Sequence, residues 1–189
     1  TPILVGGTGL YFKAITEGMV HIPLIPYKFR VKIRSLHKKV GSKKFFLKLS
    51  KLDPLSRNYI NPSDTQRSIR AYEVMLFTKK SIYDWFKSTK SNYEKKDFYK
   101  IYIDFPRNDL LKRIGARSIE MIKNGAILEV KRILKLKVPR DKTANKAIGI
   151  AEVKEYLDKK IKIEELVDKI SIKTRQYAKR QSTWARGNM

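Results

Sequence analysis

The sequence predicts an α/β protein with a partial parallel-sheet core, an inserted all-helical domain and a mainly helical C-terminal part. Residues 2–5, Pro-Ile-Leu-Val, read as a short apolar strand running into Gly6-Gly7. Residues 98–105, Phe-Tyr-Lys-Ile-Tyr-Ile-Asp-Phe, form a second β-prone run closed by Pro106. Between the two lies a block with helical spacing, and strands parted by a helical block are what an insertion into a parallel sheet leaves behind. The expected divisions are 1–24 as part of the core, 25–90 as the inserted helical domain, and 91–189 as the rest of the core with the C-terminal helices. A short apolar strand needs neighbours to pair with, so further strands are expected upstream of Thr1.

The elements follow in order. Gly6-Gly7-Thr8-Gly9 leads into a helix over Leu10–Ile15, with Gly18 as its stop. A strand, a glycine turn and a helix N-terminus can cradle an anion, but a tight turn without function fits the same four residues. Pro23 and Pro26 mark a joint, followed by helical patterns near 27–39 and 42–51. Asn61-Pro62-Ser63-Asp64 signals the next helix start, with Ile69, Tyr72 and Leu76 as its buried stripe and Gln66, Arg67 and Arg70 on a polar arc. A short helix is expected near 81–87. Beyond the second strand, Asp109 caps or begins a helix that turns Leu110, Ile114, Ser118 and Met121 inward and ends at Asn124-Gly125. Further helices are expected near 126–136, from Lys146-Ala147-Ile148-Gly149 to about 159, and from Ile163 onward.

On a wheel of 100° per residue, the last helix carries Arg175, Lys179, Ser182 and Arg186 within about 60° of one another. Gln176, Arg180 and Thr183 flank that stripe. Tyr177 and Trp184 lie opposite, in line with Ile163, Leu166 and Ile170, and are expected in the core rather than as platforms for base stacking.

Charge narrows the partner. Forty-three Lys and Arg against 18 Asp and Glu in 189 residues give +25, a self-repulsion that a polyanion relieves. Composition alone separates neither RNA from DNA and anionic lipid, nor a polyanion binder from a lysine-rich solvated surface. The absence of cysteine excludes disulfides and thiolate metal sites. His21 and His37 are spaced unlike zinc ligands and read as structural or surface residues. No apolar run approaches the roughly 18 residues of a membrane span, and a cytoplasmic, non-membrane protein is the default expectation. No Walker A pattern occurs, no Ser-His-acid set can be assembled, and Glu17, Asp64, Glu73, Glu120 and Glu152 read as scattered capping or surface carboxylates.

Four ordered motifs then carry a resemblance. Ile3-Leu4-Val5-Gly6-Gly7-Thr8-Gly9-Leu10-Tyr11, the Asn61–Asp64 turn with Gln66-Arg67 and Arg70-Ala71-Tyr72-Glu73-Val74, Ala147-Ile148-Gly149, and Thr174–Gln181 with Thr183-Trp184 closely resemble the tRNA dimethylallyltransferases. The resemblance implies transfer of a dimethylallyl group from its diphosphate to N6 of adenosine 37, beside the anticodon, and makes the expected sheet core one of P-loop type. It implies Thr8 as a catalytic residue that positions the adenine. Arg117 is the implied catalytic arginine at the diphosphate, with Arg113 as a second diphosphate-binding candidate. Contacts to the tRNA anticodon stem-loop are implied for Arg30, for Gln66, Arg67, Ser68, Ile69 and Arg70, and for Lys146, Ala147, Ile148, Gly149, Ile150 and Ala151. They are also implied for Arg175, Gln176, Lys179, Arg180, Gln181, Ser182, Thr183 and Arg186.

By the same resemblance Mg2+ is the cofactor, with ligands outside this chain, and dimethylallyl diphosphate is the second substrate of a monomeric enzyme. The sequence departs from the family pattern at Asn61, Ile119, Ile150, Ala151 and Ala185. The family's P-loop and its general-base aspartate have no counterpart within these residues. The expectation is a C-terminal portion that is inactive by itself, with a non-catalytic RNA-binding protein as the alternative.

Overall fold

The computed structural model describes residues 2–139 and 142–189, and for Lys95 the backbone alone. Among the described residues its regular elements are all helices, with short 3-10 turns and no strand. This corrects the α/β expectation. Residues 2–5 and 98–105 adopt no regular structure, neither finding a ladder partner among the described residues, and a strand exists only where a neighbour supplies the facing N–H and C=O groups. Their apolar side chains are correspondingly bare: Val5 is 92% exposed and Ile103 82%. β-propensity marks these segments as β-prone, but pairing needs neighbours that propensity does not supply.

Two compact units result, Leu10–Tyr99 and the combination of Thr1–Gly9 with Lys100–Met189. In the first, α1 (Gly9–Glu17, beginning at the unit's edge) is followed by α2 (Tyr27–Leu52), α3 (Ser56–Tyr59), α4 (Thr65–Thr78) and α5 (Ile82–Lys87). Gly41 interrupts α2 at φ +77°, ψ 162°, a non-helical backbone that only glycine adopts without strain, so α2 is two helices joined at a kink, in keeping with the two helical patterns expected near 27–39 and 42–51. Its C-terminal half packs on α4 around Phe46, Leu49, Ala71 and Val74, with Ile25, Ile60 and Ile82 closing the cluster. Buried Asp53, just past the end of α2, accepts hydrogen bonds from the hydroxyls of Ser56 (2.6 Å) and Ser81 (2.9 Å). Ser81 in turn accepts from Tyr83 N–H and caps α5, so one carboxylate ties three helix ends together.

In the second unit, α6 (Arg107–Lys123), α7 (Ala126–Lys135), α8 (Ile150–Leu157) and α9 (Ile163–Asn188) surround Val130, Val153, Leu166 and Ile170. α6 turns Ile114 and Ser118 inward as the spacing requires, and Asn124-Gly125 ends it, Gly125 taking φ +96°. No helix among the described residues is long and apolar enough to cross a membrane.

Candidate functional site

The glycine loop acquires its reason from α9. The side-chain amide of Gln181 donates to the Gly7 carbonyl at 3.1 Å. A Cβ built on Gly7 would overlap that amide, and one on Gly9 would overlap the Trp184 ring. Glycine is therefore required because the last helix lies against the backbone. None of Gly6, Gly7 and Gly9 has positive φ, so the loop lacks the alternating-handed backbone of an anion nest. Thr8 stays exposed between the two contacts, and its hydroxyl makes no hydrogen bond to the described residues.

Along α9 the burial pattern differs from the wheel in two places. Ser182 is half-buried, so the solvent-facing cations are Arg175, Lys179, Arg180 and Arg186, with Gln176 and Thr183 between them. Gln176, Lys179, Arg180, Thr183 and Trp184 line a shallow open depression. Tyr177, expected in the core, is 41% exposed and lies beneath the Arg180 guanidinium at 5.6 Å. The cause is the packing face: beyond Ile170 the helix turns inward the small side chains of Ser171, Thr174, Ala178 and Ala185, which admit a close neighbour and leave no room for an aromatic ring.

On α6, Arg113 sits with its guanidinium 5.0 Å over the Phe105 ring. Arg117, one turn on, is exposed and has no ion-pair partner among the described residues. No hydrogen bond or ion pair joins it to Thr8. Arg186 faces Asp104 at 3.7 Å.

The segment from Lys146 to Ala151 is held by Glu152, expected as a capping or surface carboxylate and found to cap α8 from a buried position. Glu152 is buried; it accepts the Gly149 N–H at 2.8 Å and pairs with Lys173 of α9. Gly149 takes φ +105°, which fixes glycine there. Burial alone pushes the Glu152 carboxyl up, but the Lys173 ammonium and the backbone N–H donors of Glu152 and Gly149 together overcome it and hold the carboxyl below its ordinary 4.5.

A depressed carboxylate adds stability above its unfolded pKa and loses it as pH falls through the folded value. Glu152→Gln is expected to cost about 1.5–3 kcal/mol at pH 7. Acidification should shrink the gap to wild type progressively as the native carboxyl takes up its proton, at pH values below its ordinary 4.5. Urea unfolding at pH 7 and along a series of decreasing pH values measures this, and a gap that does not narrow at any acid pH at which the wild type still folds would contradict the assignment.

In the other unit, Asp64 caps α4 by accepting Arg67 N–H at 3.0 Å and pairs with the Arg67 guanidinium at 3.2 Å. Gln66 and Arg67 are exposed, Ile69 and Arg70 half-buried. Ser68 is buried, which removes it from the surface set. The helix buries Ser68, Ala71, Glu73 and Val74, while Ile69, Tyr72 and Leu76 are only half covered; the inward face is rotated from the one that hydrophobicity alone selects. Glu73 is thereby placed among three guanidiniums, those of Arg30 (3.6 Å), Arg34 (3.8 Å) and Arg70 (3.6 Å). Neither Arg34 nor Glu73 stands out in the sequence as a site residue. The available signal was the i, i+4 spacing of Arg30 and Arg34 and the i, i+3 spacing of Arg70 and Glu73.

The chain is similar to known proteins along its whole length. The family model described as IPP transferase matches residues 1–188. A tRNA dimethylallyltransferase of Pelagibacter ubique is 55% identical over 188 residues, covering 100% of this chain and 60% of that protein. One of Rickettsia massiliae is 43% identical over 185 residues, covering 97% of this chain and 51% of the relative. Among solved structures, the full-length tRNA isopentenylpyrophosphate transferase of Bacillus halodurans aligns with 32% identity and a TM-score of 0.53, over 96% of this chain and 55% of that one. A eukaryotic dimethylallyltransferase acting on tRNA aligns with a TM-score of 0.72 over 95% of this chain and 46% of that one; at 24% identity it shows likeness of fold alone. The chain thus spans between half and two thirds of the length of these curated relatives.

Proposed function

Since the chain belongs to the IPP transferase family, we propose that it takes part in transferring a dimethylallyl group to N6 of adenosine 37 in tRNA, and that its own share is to grip the anticodon stem-loop. The observation that carries this reading is the Gln181–Gly7 contact. It holds the threonine-bearing loop against a helix whose outward side chains are cationic, so one unit carries both the RNA-facing residues and the residue meant to meet the reacting base. Each unit supplies its own contacts: Arg175, Gln176, Lys179, Arg180, Gln181, Thr183 and Arg186 with the segment Lys146–Ala151 in one, Arg30, Gln66, Arg67, Ile69 and Arg70 in the other.

A base inside a stacked loop is out of reach of such a site, so the adenine must be turned out of its stack to meet Thr8. The N6 lone pair forms the new C–N bond while the C–O bond to the diphosphate breaks and its electron pair leaves on the diphosphate. Arg117, exposed and without an ion-pair partner among the described residues, is suited to that developing negative charge, with Arg113 as a second cation. The N6 proton passes to a base; the resemblance assigns this to an aspartate outside these residues. No three His, Asp or Glu side chains converge among the described residues, so they do not fit the Mg2+ that the resemblance implies, and no step here runs through it. A cytoplasmic monomer, working where tRNA is found, belongs to the same proposal.

The test incubates the chain with a tRNA transcript and labelled dimethylallyl diphosphate, alone and with the remaining part of the Pelagibacter relative supplied separately. The expected result is salt-sensitive tRNA retention by the chain alone, with label transferred only in the supplemented reaction. Equal affinity for tRNA and unrelated duplex DNA would overturn the RNA reading, and transfer by the chain alone would overturn the division of labour. Binding without transfer under supplementation would favour a non-catalytic RNA-binding protein.

A further inference from the structure

We infer that Glu73 is the positioning residue of a three-arginine phosphate site, and that Arg34, beside Arg30 and Arg70, contacts the RNA backbone. The inference rests on the tRNA-binding reading above and deepens it. The Glu73 side chain is 2% exposed, a place where a carboxylate persists only with cations around it. Arg30 and Arg34 reach it from successive turns of α2 and Arg70 from its own helix, at 3.6–3.8 Å. These separations attract but do not make hydrogen bonds. Glu73 Oε1 and Arg30 Nε in fact lie buried without a hydrogen-bond partner among the described residues.

One negative charge among three positive ones leaves an excess of two, more than any structural ion pair needs. Arg30 and Arg34 both turn Nε toward the carboxylate, so their Nη groups keep no ion-pair partner among the described residues, and all three side chains are over 40% exposed. Guanidiniums anchored along one edge and free along the other present paired donors in the geometry a phosphate oxygen pair accepts. Glu73 also makes the cluster possible: without it three like charges repel and the long side chains disperse. Phosphodiesters of RNA, rather than base edges, are the ligand chemistry, because nothing about the trio discriminates one base from another.

Two explanations of Glu73 predict opposite signs, which makes it testable in the full chain. If it were a bystander charge, Glu73→Gln would add net positive charge, tighten tRNA binding and leave the salt dependence unchanged or steeper. If it positions the arginines, Glu73→Gln weakens binding about tenfold at 0.1 M salt and lowers the slope of log K against log salt by about one, since each phosphate contact contributes roughly 0.7–0.9 to that slope. Arg34→Ala alone lowers the slope by about 0.7–0.9 and, placed in the Glu73→Gln background, changes affinity less than about twofold. Tighter binding or an unchanged slope in Glu73→Gln overturns the inference. So does Arg34→Ala binding like wild type, a result that decides the matter even where Glu73→Gln does not fold. Wild-type chain that fails to retain tRNA overturns the tRNA reading and the inference with it, whereas the two variant outcomes overturn the inference alone.

Discussion

Phe45→Ala is expected to destabilise the unit Leu10–Tyr99 by about 3–5 kcal/mol, a large share of what a unit of this size possesses. Phe45 has no exposed surface and stands against two rings, with centroids 5.0 Å from His37 edge-on and 4.9 Å from Tyr72. Truncation removes the apolar area and both ring contacts, and leaves a cavity between α2 and α4 that two long packed helices cannot close. The sequence has two tryptophans, Trp85 in this unit and Trp184 in the other, so fluorescence in a Trp184→Phe background reports this unit's unfolding by itself. A shift below about 1 kcal/mol in urea unfolding would contradict the packing described.

The second large effect falls on binding. Changing Arg175, Lys179, Arg180 and Arg186 together to Ala is expected to weaken tRNA binding by nearly three orders of magnitude at 0.1 M salt. Each lost phosphate contact is worth about 0.7 of a decade there, on the slope found for single-stranded nucleic acid. The loss should vanish as salt approaches 1 M, because the term removed is counterion release. Folding should be little altered: all four side chains are exposed, their internal contacts being a long hydrogen bond from Arg175 to Ser171, the Tyr177 ring under Arg180 and the 3.7 Å approach of Arg186 to Asp104. Filter binding of a tRNA transcript across a salt series tests it. Affinity reduced less than tenfold, or reduced equally at all salt concentrations, would remove α9 from the interface.

Much of the helical layout could be read from the sequence because its signals are local. Asp64 caps α4 where Asn61–Asp64 announced it, Asn124-Gly125 ends α6, and the break near Gly41 falls between the two periodic stretches that flank it. The family, too, is written in contiguous residues such as Gly6–Gly9 and Thr174–Gln181, and the comparisons place the chain there. Outcomes that depend on partners far along the chain are not legible in the same way. Residues 2–5 and 98–105 have the composition of strands and find no neighbour to pair with among the described residues. Glu73 and Glu152 read as capping or surface carboxylates; Glu152 does cap α8, but the burial of both follows only once the helices close over them.

By themselves, then, the residues determined where helices start and stop, the excess of positive charge, and the kinship of the chain. Tertiary structure alone decided which of the polar residues matter. Gly7 meets Gln181 across 174 positions, and Glu73 gathers Arg30 and Arg34 from another helix. The physical reason is that hydrogen-bonded turns and 3.6-residue periodicity depend on residues within a few positions of each other. Burial of a charge, closeness of two backbones and completion of a sheet depend instead on what the rest of the chain brings alongside.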